Sequence, residues 1–99
     1  MLYEAQVTIA STGTAVQLST TRAAATWVQV QSPSTNNATG VTLGGSDVTV
    51  ASGLKPGVVI APGGTQFLPD VGTPGAYSLS TIWVNGTTGD KVNVLYFRR

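Results

Sequence analysis

Residues 36–57 read Asn-Asn-Ala-Thr-Gly-Val-Thr-Leu-Gly-Gly-Ser-Asp-Val-Thr-Val-Ala-Ser-Gly-Leu-Lys-Pro-Gly. Short apolar pairs of β-type residues alternate here with glycine punctuation, and no helix-length pattern is present, so the run reads as a series of strand reversals. Val41 and Leu43 stand two apart, as do Val48 and Val50. Each pair is expected to bury one face of an extended strand, with Thr42 and Thr49 facing outward. Gly44-Gly45 permits positive φ or close backbone approach. Asp47 is placed to cap turn N–H groups, and Pro56-Gly57 presets a turn.

Both flanks keep the period of two. On the N-terminal side, Ala5, Val7 and Ile9 share one face of a strand over Glu4 to Ala10, and Val16 and Leu18 continue beyond the turn Ser11-Thr12-Gly13. Ala23-Ala24-Ala25 suits a helix by propensity, but it runs directly into Thr26-Trp27-Val28-Gln29-Val30-Gln31, which is β-branched, aromatic and alternating. Ala24 to Ser32 is therefore expected as one strand, with Val28 and Val30 toward the core. Trp27 then stands outward beside Gln29 and Gln31, where an indole is covered by a loop or belongs to an interface. On the C-terminal side, strands are expected over Val58 to Ala61 and Thr65 to Leu68, with an extended loop at about 69–77. Ser78 to Val84 and Lys91 to Phe97 are expected to pair as a hairpin across Asn85-Gly86-Thr87-Thr88-Gly89-Asp90, placing Ile82 and Val84 opposite Val92 and Val94. Trp83 falls on the outward face, as Trp27 does.

About seven to eight short strands with regular turn signals and no helical period predict an all-β fold, a small antiparallel β-sandwich or barrel of jelly-roll or immunoglobulin-like type. Ninety-nine residues make a single domain, 1–99, large enough for one core. The segments 1–4 and 98–99 are expected as flexible arms.

Composition narrows the function. Hydrophobic residues make up 41% of the chain and charged residues only 9%, against a usual share of about 25% charged. The surface must be built from Ser, Thr, Asn, Gln and Gly, which offers little charge to oppose association. A net charge of +1 with no basic run ahead of Arg98-Arg99 gives no electrostatic footprint for nucleic acid. No apolar run approaches membrane-spanning length, and the N-terminus lacks the basic and apolar regions of a secretory signal. Synthesis and retention in the cytoplasm, or passage out within something larger, is the expectation.

Catalytic chemistry finds few residues to work with. Histidine and cysteine are absent, so a nucleophile would need a lysine base or paired carboxylates. Lys55 and Lys91 sit beside turns, and Asp47, Asp70 and Asp90 stand next to glycine, proline or a turn, where capping accounts for them. Gly44-Gly45-Ser46 and Gly63-Gly64-Thr65 lack the Lys-Ser or Lys-Thr that a phosphate-binding loop requires. The sequons at Asn37 and Asn85 match by chance in a threonine-rich chain. No catalytic, cofactor or metal residues are assigned, and no enzyme activity is expected. The serious rival to a purely structural role is a sugar-stacking platform drawn from Trp27, Trp83, Tyr3, Tyr77 and Tyr96 among the many amides.

The chain resembles a family of small virion structural proteins of tailed bacteriophages. The resemblance rests on the segments 37–48 and 53–57 and on the long run 79–96, which opens Leu-Ser-Thr-Ile-Trp-Val-Asn-Gly. Where the family's pattern passes quickly from the Pro-Gly turn to the last strands, this chain has a longer Pro62 to Tyr77 segment. What the resemblance implies is a capsid decoration, or cement, protein. Such a protein binds the outside of an assembled head, bridges major capsid subunits as a homotrimer and needs no cofactor; it is made in the host cytoplasm and resides on the virion. Candidate interface residues are Leu2, Tyr3, Trp27, Trp83, Arg98 and Arg99, the arginines offering forked donors to capsid carboxylates. The alternatives are a carbohydrate-binding or adhesion module on the virion, and a tail or head-completion protein.

Overall fold

The computed structural model describes residues 1–20, 23–72 and 75–98, and within them the chain is all-β. The strands in order are β1 (Leu2–Thr8), β2 (Val16–Gln17), β3 (Ala24–Ala25), β4 (Trp27–Gln31), β5 (Val41–Gly44), β6 (Val58–Ile60), β7 (Thr65–Leu68), β8 (Tyr77–Ser78), β9 (Trp83–Asn85) and β10 (Lys91–Phe97), with one 3-10 turn at Leu79–Thr81.

Pairing follows a mirror rule. β1 pairs with β10, β2 with β9, β3 with β8, β4 with β7 and β5 with β6, every pair antiparallel. The two halves of the chain therefore lie along one another as a single folded-back ribbon, with its tip between β5 and β6. The ribbon is rolled up by two further pairings, β10 with β4 and β9 with β5. Two four-stranded sheets result, β1-β10-β4-β7 and β2-β9-β5-β6, while β3-β8 remains a short two-stranded piece. A double-stranded ribbon wound into a two-sheet sandwich is a jelly roll; an immunoglobulin-like order lacks this mirror pairing.

Alternation decides which side chains meet between the sheets. Val28, Val30, Val92 and Val94 of the first sheet face Val41, Leu43, Ile60 and Val84 of the second, and Ile9, Leu18 and Leu79 complete the same buried cluster. Each such side chain taken fully from water stabilises the fold by about 1.5–3 kcal/mol.

Several sequence expectations are corrected. The hairpin of Ser78 to Val84 with Lys91 to Phe97 does not form, because β9 and β10 belong to different sheets. Val84 and Val92 are both fully buried and lie on opposite sides of the core, not side by side on one sheet. The 78–84 segment is itself broken by the 3-10 turn. Val48 and Val50 lie in no strand; the segment 45–57 is a sequence of turns closed by the Thr49 N–H donating to the Lys55 carbonyl at 2.8 Å. The strand expected over Ala24 to Ser32 is divided at Thr26, since β3 pairs with β8 whereas β4 pairs with β10 and β7. Leu2, Tyr3 and Glu4, expected in an arm, are in register with Phe97, Tyr96 and Leu95.

Candidate functional site

Side chains directly opposite one another on antiparallel strands share a face, so the register of the first sheet arranges its outer surface in rows. Leu2, Phe97 and Trp27 form one row. Glu4, Leu95, Gln29 and Phe67 form the next, and Gln6, Asn93, Gln31 and Thr65 the third. The face thus grades from aromatic at one end to amide-bearing at the other.

At the aromatic end, the Trp27 ring stacks near-parallel to Phe97, with centroids 6.3 Å apart at 13°, and meets Phe67 at 5.6 Å and 46°. Such pairs are worth about 0.5–1.5 kcal/mol beyond area burial. Phe67 nevertheless remains 47% exposed and Leu2 55%. Further along, Gln6 Nε2 donates to Asn93 Oδ1 at 3.0 Å, and Asn93 Nδ2 donates to Gln31 Oε1 at 3.3 Å. In the row between, the Gln29 amide and the Glu4 carboxylate have no hydrogen-bond or ion-pair partner among the described residues. A groove of about 530 Å³ open to solvent runs over these strands, lined by Glu4, Gln6, Gln29, Gln31, Asn93 and Leu95.

The outer face of the second sheet is built differently. Thr42 and Asn85 point outward from β5 and β9, opposite one another, yet both are buried, because the 45–57 tip folds back over them. Asn85 Nδ2 donates to the Val48 carbonyl at 2.9 Å while its Oδ1 accepts from the Gly86 N–H at 2.8 Å. Thr42 Oγ1 donates to the Thr49 carbonyl at 2.6 Å. On the tip's exposed side, Lys55 Nζ lies 2.8 Å from Asp47 Oδ2. The Lys55 hydrogen bond and charge lower the Asp47 pKa, and the same bond and charge raise that of Lys55.

The two edges of the first sheet also differ. β7 is four residues long and stands between Pro62 and Pro69. β1 is seven residues long with six of them exposed, holds no proline or lysine, and carries a single charge at Glu4. Met1 and Arg98 exchange backbone hydrogen bonds, so by antiparallel alternation Tyr3, Ala5 and Val7 bond to β10. The N–H and C=O groups of Leu2, Glu4, Gln6 and Thr8 consequently point away from the sheet. Natural sheets usually blunt such an edge with proline, lysine or a bulge.

The expected interface residues separate into three places. Leu2 and Trp27 flank Phe97 on the outer face. Tyr3 lies on the opposite face at the same end, stacked on Tyr96 at 5.4 Å and 15°, with the Arg98 guanidinium 5.7 Å from its ring centroid. Trp83 stands on the outer face of the second sheet, in register with Gln17 and Gly44. Arg99 lies outside the described residues. Tyr77 is elsewhere again, its hydroxyl donating to the Pro69 carbonyl at 2.8 Å. The five aromatic residues weighed as a rival sugar-stacking platform therefore do not lie together as one. Sequence reasoning missed Phe67, Phe97, Glu4, Gln6, Asn93 and Leu95. Each obeys the same alternation as Trp27, but only the pairing register brings them beside it.

Among the described residues, no group of three or more His, Cys, Asp or Glu is arranged to hold a metal ion, and no helix is long and apolar enough to cross a membrane. Comparison with protein families, with curated proteins and with solved structures finds no match to this chain.

Proposed function

We propose that the protein is a structural component of a phage particle, a decoration protein that docks on the assembled head and bridges major capsid subunits, with copies joined in trimers. The observation that carries this reading is the undefended edge of β1. Four residues there direct outward backbone donors and acceptors that are unpaired among the described residues, a template for adding a strand of a neighbouring chain. One edge used against a different surface of the next copy is a heterologous contact, which closes into a ring when the rotation permits. A surface with few charges adds little repulsion to such packing, and many copies on one lattice gain from effective concentration. Jelly rolls occur in capsid and lectin domains alike; that support is fold-level analogy only.

The test combines particle imaging with one substitution. Cryo-electron microscopy of particles carrying the protein is expected to find many copies at local three-fold or other lattice positions. Ala5 faces inward from β1 yet is exposed, so Ala5→Lys sets a charge beside the free edge while leaving the outward N–H groups in place. That variant is expected to remain folded, to lose the trimer by light scattering and to leave the particles. A few copies in a ring at a single vertex would instead make it a head-completion protein. Full occupancy by Ala5→Lys would remove the β1 edge from the account.

A further inference from the structure

We infer that the groove on the outer face of the first sheet is a binding site for a neutral saccharide, a role separate from docking through the β1 edge. The groove is polar on both flanks and apolar in between. Leu95 stands at its centre, in register with Glu4 on one side and Gln29 on the other. A pyranose presents the same pattern, with C–H faces and a rim of hydroxyls that both donate and accept.

The flanking groups suit that rim. The Glu4 carboxylate accepts only, and the Gln29 amide both donates and accepts. Both are unengaged among the described residues, so neither must break a contact to receive a ligand. Next to them, the Gln6–Asn93–Gln31 chain holds its amides in fixed orientation through two hydrogen bonds. This reduces the ordering cost that binding would otherwise carry. Each of these amides keeps further donor or acceptor capacity.

Beside the groove, the aromatic end of the same face offers a surface for a second ring. Phe67 lies in register with Gln29 and is half exposed, held against Trp27. Charge argues against other ligands. Among the described residues, no Lys or Arg lines the groove, so a phosphate, a nucleic-acid backbone or an acidic sugar would meet the Glu4 carboxylate with no compensating cation from them. A volume of about 530 Å³ lies within the usual range for small-molecule sites.

Nuclear magnetic resonance on the intact protein tests this at the groups named. Maltotriose, cellotriose, chitotriose and galactotriose would be titrated to millimolar excess, with 3′-sialyllactose as the acidic comparison. At least one neutral trisaccharide is expected to shift the side-chain amide signals of Gln29 and Gln31 together with the Leu95 methyls, leaving Trp83 unmoved. Gln29→Ala and Glu4→Gln, both on the solvent face, are expected to weaken that binding tenfold or more with unchanged thermal unfolding. No shift with any of the four neutral sugars, an equal response to sialyllactose, or retained affinity in Gln29→Ala would each overturn the assignment. Monomer and trimer are assayed separately by light scattering, so a failure here leaves the edge-docking result readable by itself.

Discussion

The two outer faces of the sandwich start from the same sequence signal and end in opposite states. Each carries one tryptophan and a set of outward polar residues on strands whose other face is core. On the second sheet, those polar residues are buried and spent internally, with Asn85 and Thr42 holding the 45–57 tip against the sheet. On the first sheet no described segment folds back over the face, and Glu4 and Gln29 remain unengaged among the described residues. An outward polar residue is therefore structural or available according to whether the ribbon's tip reaches it.

The comparison breaks most sharply at Gly57, the residue that returns the tip to β6. Its φ of +60° is left-handed, and an added Cβ would press on the Leu43 carbonyl oxygen. Gly57→Ala is expected to cost about 3 kcal/mol in chemical denaturation, since both strain and collision oppose it. Loss of less than about 1 kcal/mol would mean that the tip can re-lay itself over the sheet.

A smaller effect separates the faces directly. Asn85→Ala leaves the Val48 carbonyl and the Gly86 N–H without their side-chain partners in a buried place, which should cost about 2 kcal/mol. Gln31→Ala, on the bare face, should change stability by no more than about 0.5 kcal/mol. Comparable losses from the two substitutions would show that the amide row of the first sheet is also a structural staple.

The smallest expected effect is at the Asp47–Lys55 pair, where both side chains are exposed. Asp47→Asn should leave the unfolding midpoint unchanged in high salt. At low ionic strength, the sign follows from the directions of the shifts. The lowered Asp47 pKa gives a contribution present above the carboxylate's unfolded value and lost as pH falls through the folded one. The raised Lys55 pKa gives one that persists through neutral pH and is lost as pH rises through the folded lysine value. A difference between variant and parent that grew on acidification would contradict this pairing.

Alternation made the individual strands legible, and it placed Val28, Val30, Val41, Leu43, Val92 and Val94 in the core and Trp27 and Trp83 outside. Partnership was not legible. Asn85-Gly86 reads as a hairpin turn because neighbouring strands usually pair, but here it carries the chain from one sheet to the other, and its asparagine side chain is spent on Val48. The same lack of register hid the groove. Gln29 and Gln31 were visible as outward amides, whereas Glu4, Leu95 and Asn93 come beside them only because β10 lies between β1 and β4. Val48 misled for another reason: a buried valine in a turn has the same spacing to its neighbour as one in a strand.

The pairing of β1 with β10 has a consequence for how the protein is made. Met1 and Arg98, joined through their backbones, are 97 positions apart in sequence, so β1 is synthesised nearly a whole domain ahead of its partner β10. Contacts this distant slow folding, because a long loop must close before the strands reward it. During that interval β1 exposes both of its edges to other nascent chains. Its one charge, at Glu4, is a modest guard. A circular permutant joining residues 1 and 98 through a short linker would shorten this closure, and its refolding rate would report how much of the delay belongs to that one strand pair.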